Sequence, residues 1–84
     1  MTELLLDRVR WSLEAGVARI ALAHPQSGNA LSLPMARALL AAVQRLEAAC
    51  HQGTVRAALL FAQGEHFCVG GDLQEFAQVA DRQR

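Results

Sequence analysis

The chain has 84 residues, enough for one small domain that leaves much of its apolar surface without a partner. Hydrophobic residues make up 52% and charged residues 19%, the composition of a folded segment and not of a disordered or acidic tail. Lys plus Arg and Asp plus Glu both number 8, so no basic excess argues for nucleic acid or an anionic membrane surface as partner.

In chain order, residues 4–11 read as an edge-like strand, because Leu6, Arg8 and Arg10 alternate with Asp7, Val9 and Trp11. Glu14, Ala15 and Gly16 supply a turn. The following Val17–Leu22 segment (VARIAL) sets two branched aliphatics among alanines and an arginine, which suits a second strand and predicts a hairpin. Residues 23–31 hold His24, Pro25, Gln26, Ser27, Gly28 and Asn29, a run of turn and loop formers in which Pro25 forces His24 out of helical geometry. Ser32 then caps a helix with Pro34 in its first turn. Met35, Leu39, Val43, Leu46 and Cys50 recur at spacings of three and four and predict its buried stripe, with the end near Gly53.

Ala57–Ala62 (AALLFA) is a continuous apolar run, the pattern of a strand buried on both faces in a parallel sheet. Strand, helix and strand make one crossover unit. Residues 63–67 form a turn, and Asp72 caps a last helix carrying Leu73, Phe76 and Val79. Arg37, Gln44, Arg45 and Glu47 interrupt the long helix, so no segment reaches the roughly 18 apolar residues that cross a bilayer, and no membrane partner is expected. The start has no secretory pattern, and Cys50 and Cys68 are read as free thiols in a cytoplasmic protein. His24, His51 and His66 lack zinc-site spacing relative to the cysteines, so no metal is expected. Neither a dinucleotide-binding nor a P-loop glycine pattern occurs.

The chemistry points to the loop after residues 57–62, since open α/β sheets place ligands at the carboxyl ends of their strands. Gly70 and Gly71 carry no side chain, so a ligand oxygen can approach their amide N–H groups closely. A helix capped by Asp72 adds about half a positive charge there, a setting suited to a developing oxyanion. Cys68, between Phe67 and Val69, is read as a protonated and inert thiol.

Four motifs in order carry a resemblance: His24-Pro25-x-x-Gly28-Asn29-Ala30-Leu31; Ser32-x-x-Met35; Val55-Arg56-Ala57; and Gly64-x-x-Phe67-Cys68-x-Gly70-Gly71-Asp72-Leu73. Together they resemble the amino-terminal part of the enoyl-CoA hydratase/isomerase (crotonase) superfamily. The resemblance implies an α/β fold of crotonase-like ββα units, truncated to a hairpin, a crossover helix, a buried parallel strand and a short C-terminal helix. Residues 1–84 would then be the amino-terminal part of a crotonase-like domain.

The same resemblance implies that the backbone N–H of Gly71 is the first oxyanion-hole donor to a thioester carbonyl. It implies further that Gly28, Ala30, Leu31, Val69, Gly70, Asp72 and Leu73 flank the path of coenzyme A. Position 28 is Gly and position 74 is Gln, where many family members carry a basic residue. Asn29 resembles a structural position that holds the loop by side-chain hydrogen bonds. The implied substrate is an acyl-CoA, with coenzyme A present as part of the thioester and no permanently bound cofactor. The implied assembly is a homo-oligomer, trimer or hexamer. The family's reactions include hydration of a 2-enoyl thioester, double-bond isomerisation, decarboxylation, dehalogenation and hydrolysis; hydration, its namesake activity, is the default implied here, in fatty acid metabolism. The second oxyanion amide and the catalytic carboxylates fall, by resemblance, in segments beyond Arg84. The rival expectation is a catalytically inactive fragment that binds acyl-CoA or packs in an oligomer.

Overall fold

The computed structural model describes residues 2–68 and Gly70. The first strand, β1 (Thr2–Leu5), is followed by β2 (Val9–Glu14) and β3 (Val17–Leu22), each antiparallel to the one before. A 3-10 turn at Pro25–Ser27 leads into helix α1 (Leu33–His51), and β4 (Ala57–Ala62) returns parallel to β3, giving the sheet order β1-β2-β3-β4. The expected hairpin and crossover unit are both present. The expected terminal helix beyond Asp72 lies outside the described residues.

The expected single strand over residues 4–11 is instead two strands joined by a turn at Leu6, Asp7 and Arg8. Leu6 and Asp7 take φ of 51° and 56°, and the Arg8 N–H donates to the Leu5 carbonyl at 2.9 Å. Positive φ is costly for such residues. The return pairs Leu5 with Val9 and Glu3 with Trp11, which satisfies the free backbone edge of β2 and buries Leu5 on the face of Val9 and Trp11.

Ala15 and Gly16, at φ of 52° and 80°, form the two-residue turn whose twist matches the flanking strands. The Gly16 carbonyl accepts from the N–H groups of Arg56 at 2.7 Å and Ala57 at 3.3 Å, so the hairpin turn seats the entry to β4. The φ of 80° at Gly16 favours glycine, whereas a Cβ there would meet only the flexible Arg56 side chain, at 2.9 Å from Nε.

Pleat alternation and register place Leu5, Val9, Trp11, Ala18, Ile20 and Leu22 on one face of the sheet, where they form the core with Met35, Ala38 and Ala42 of α1. Ser32 caps this helix as expected, its Oγ accepting from the Met35 N–H at 3.2 Å. The buried stripe differs from the expected one: Met35, Ala38, Ala42 and Ala49 face inward, Leu39 and Leu46 lie at the margin, and Val43 and Cys50 are exposed. Alanines let the helix backbone approach the sheet closely enough to pack on large groups such as Trp11, so the small residues, not the larger aliphatics, mark the contact.

That helix packs chiefly on β2 and β1. The consequence falls on β4: its parallel pairing is as expected, but its burial is not, with Leu59, Leu60 and Phe61 exposed at 50%, 58% and 43%. The continuous apolar run reports a strand suited to cover on both faces, which the described residues do not provide. No helix among the described residues is long and apolar enough to cross a membrane.

Candidate active site

Because β3 and β4 are parallel, the loops leaving them emerge at the same end of the sheet, beside the amino terminus of α1. Leu22 and Ala62 are paired at that end, and the Gln63 N–H donates to the Leu22 carbonyl at 2.8 Å. Asn29 joins the two loops. It is the one fully buried polar residue among those described, at 0% exposure. Its Oδ1 accepts from the His24 N–H at 2.8 Å, while its Nδ2 donates to the carbonyls of Gln63 and His66, both at 2.9 Å. One amide side chain therefore uses its acceptor on its own loop and both donors on the next, and no buried side-chain nitrogen or oxygen among the described residues is left unpaired.

Asn29 reaches this position with φ of 55°, a left-handed conformation that Asn tolerates better than most residues. The loop before it is braced by a second set of bonds. Ser27 Oγ donates to the His24 carbonyl at 3.0 Å and lies 2.7 Å from His24 Nδ1, so that ring nitrogen carries the proton when the hydroxyl serves the carbonyl. Gly64, with φ of 86°, lies so close to Pro25 that a Cβ would fall 2.6 Å from the Pro25 Cβ, which lets the two loops touch.

Of the sequence-derived site residues, Gly28 and Ala30 are half-buried and Leu31 is exposed at 43%. The Leu31 N–H donates to the Gly70 carbonyl at 2.6 Å, so the two glycine-containing motifs meet. Gly70 is exposed, with φ of 102°. The sequence predicts a Gly70 N–H open to a ligand; in the structure it is directed at Cys68 Sγ at 3.4 Å. Cys68 itself is exposed. Val69, Gly71, Asp72 and Leu73 lie outside the described residues.

A separate recess of about 230 Å³ lies toward the other end of α1, lined by Glu3, Trp11, Leu13, Arg45, Ala48, Ala49 and Gln52. Its charges are mutually engaged: Arg45 Nε and Nη2 donate to the two Glu3 carboxylate oxygens at 2.6 and 2.8 Å. Hydrogen bonding to Arg45 holds the Glu3 carboxyl below its ordinary value, against a smaller opposing effect of desolvation, and raises Arg45 in turn.

The model of the enoyl-CoA hydratase/isomerase family matches residues 12–84. The chain belongs to this family. An enoyl-CoA hydratase of Alternaria alternata is 44% identical over 62 residues, covering 74% of this chain and 20% of the relative. A trans-2-decenoyl-[acyl-carrier-protein] isomerase of Streptococcus mutans is 32% identical over 73 residues, covering 87% of this chain and 27% of the relative. Among solved structures, an enoyl-CoA hydratase/isomerase from Mycobacterium paratuberculosis superposes with a TM-score of 0.76 at 30% identity, covering 84% of this chain and 26% of that one. The chain thus spans between about a fifth and just over a quarter of the length of these relatives.

Within the family segment, sequence reasoning identified the two loops but missed how they are tied. The carbonyls of Gln63 and His66 contribute through their backbone and leave no trace in residue type. The signal that was available is Asn29 itself, a residue apt for the left-handed region and able to bond in three directions.

Proposed function

We propose that this chain provides the amino-terminal part, residues 1–84, of a crotonase-like domain in a cytoplasmic enzyme that processes acyl-CoA thioesters, most simply as an enoyl-CoA hydratase or isomerase. In this reading the Gly71 N–H is the first oxyanion donor, and Gly28, Ala30, Leu31, Val69, Gly70, Asp72 and Leu73 flank the thioester and coenzyme A. Coenzyme A enters as part of the substrate, and the whole enzyme assembles as a trimer or hexamer. The second amide and the catalytic carboxylates come from other parts of the domain.

The observation that carries the proposal is the joining of the two loops at the carboxyl ends of β3 and β4 through Asn29 and through the Leu31–Gly70 bond. The Gly70 N–H and carbonyl are both engaged within the protein, which favours the next amide as the one offered to a ligand. An enolate-like oxygen carries its charge only as the reaction proceeds, and fixed backbone dipoles serve it best; each such donor is worth roughly 10²–10³ in turnover.

Titration of the 84-residue chain with crotonyl-CoA, following both binding and loss of enoyl absorbance, tests this. The expected result is binding without turnover, and loss of that binding in Gly71→Val, whose side chain obstructs the site. No binding, or equal binding by Gly71→Val, overturns the assignment. The second reading, an inactive acyl-CoA-binding or oligomer-packing module, draws support from the bare apolar faces of β4. Turnover at enzyme-like rates would exclude it.

A further inference from the structure

We infer that Asn29 is a positioning residue, whose amide sets the placement of the oxyanion loop relative to the acyl-CoA groove. This rests on the proposed function for the identity of the ligand, but the clamp itself is a matter of geometry. The loop after β3 carries Gly28, Ala30 and Leu31, and the loop after β4 carries Gly70 and leads to Gly71. Between them stand the two Nδ2 bonds to Gln63 and His66 and the backbone bond from Leu31 to Gly70, and Asn29 is buried where water cannot replace it.

The division of labour within the side chain separates this role from a local one. Among the described residues, Oδ1 serves only the loop that Asn29 belongs to, through the His24 N–H. Nδ2 serves only the other loop. The isosteric change Asn29→Asp keeps an acceptor for His24 and a residue type that tolerates φ of 55°, yet replaces Nδ2 and its two donated hydrogens by one oxygen that repels both carbonyls. A residue needed only to shape its own loop would survive this change. A clamp would not. Asn29→Gly complements it, because glycine takes the positive φ without strain and removes all three bonds.

Amide hydrogen exchange on the 84-residue chain and its two variants supplies the test, with Leu31 reporting the loop-to-loop contact and Ile20 and Ala42 reporting the core. The expected result in both variants is a loss of Leu31 protection of about tenfold to a hundredfold, with Ile20 and Ala42 unchanged. Crotonyl-CoA affinity should fall by a similar factor. Wild-type protection at Leu31 in Asn29→Asp overturns the inference, as does a parallel loss at Leu31, Ile20 and Ala42 in both variants, which would mark a general stabilising role. Selective loss at Leu31 with unaltered crotonyl-CoA affinity also overturns it, because the clamp would then not position the ligand. Failure of the wild-type chain to bind crotonyl-CoA defeats the proposed function and with it any role toward that ligand, while the clamp stands or falls on Leu31 exchange alone.

Discussion

The two margins of the sheet are built in opposite ways. At β1 the edge carries Glu3, whose carboxylate is gripped by Arg45 of α1, and the helix lies over this side so that Leu5 and Trp11 are buried. At β4 the edge carries no charge at all, and Leu59, Leu60 and Phe61 are exposed on one face or the other. The first margin is finished in the manner of a natural sheet edge, with a charge and a covering helix; the second has the composition of an interior strand. The contrast teaches that residue composition describes the surroundings a strand is suited to, while burial records what the described residues supply.

The sharpest way to break the comparison is to remove a large side chain from each side of the shared face. Trp11→Ala should cost about 3–5 kcal/mol, a large share of the stability of so small a domain, and abolish the cooperative urea transition seen by circular dichroism. Next in size, the bare β4 margin should cause concentration-dependent self-association in sedimentation velocity, and Phe61→Lys should weaken it by roughly tenfold by placing a charge on the apolar outer face. Leu60→Ala, on the same face as Trp11 but 58% exposed, should change monomer stability by only about 0.5 kcal/mol or less. A cost comparable to that of Trp11→Ala would mean that β4 is covered in solution.

The smallest effect belongs to Glu3→Gln. Because the folded state lowers the Glu3 pKa, the pair adds stability above the ordinary carboxylate value and loses it as pH falls through the lowered one. Urea midpoints of wild type and Glu3→Gln should therefore differ slightly near neutral pH and converge in strong acid, with the difference shrinking in high salt. Divergence on acidification would show that the pair is not the source.

The elements with local chemical signatures were legible in the sequence: the Ala15-Gly16 turn, the Ser32 cap, and the loop containing Pro25, Gly28 and Asn29. The turn at Leu6 and Asp7 was not, because a leucine with φ of 51° is a choice imposed by strand pairing and not by its own preference. The inward face of α1 was misread for a related reason, since Ala38, Ala42 and Ala49 acquire their importance from how near the helix comes to the sheet. In the candidate site, residue type marked both loops, but the Asn29 bonds to backbone carbonyls and the engagement of the Gly70 N–H by Cys68 depend on tertiary placement. Contacts to the main chain of a distant segment have no sequence pattern to betray them.

The Gly16 carbonyl, already holding Arg56 and Ala57, bears also on the order in which the chain assembles. A hairpin closes within roughly 1–10 μs, well before a strand separated from it by a whole helix can search for its parallel partner. By then the turn offers an acceptor fixed at the entrance to the new ladder, so the incoming strand meets a stop that defines its starting residue. A slip of one residue would carry Leu60 to the opposite side and move every later contact, including those of Gln63 and His66, out of reach of Asn29. The alignment of the loops at one end of the sheet is thus decided at the other, by a turn that closes early.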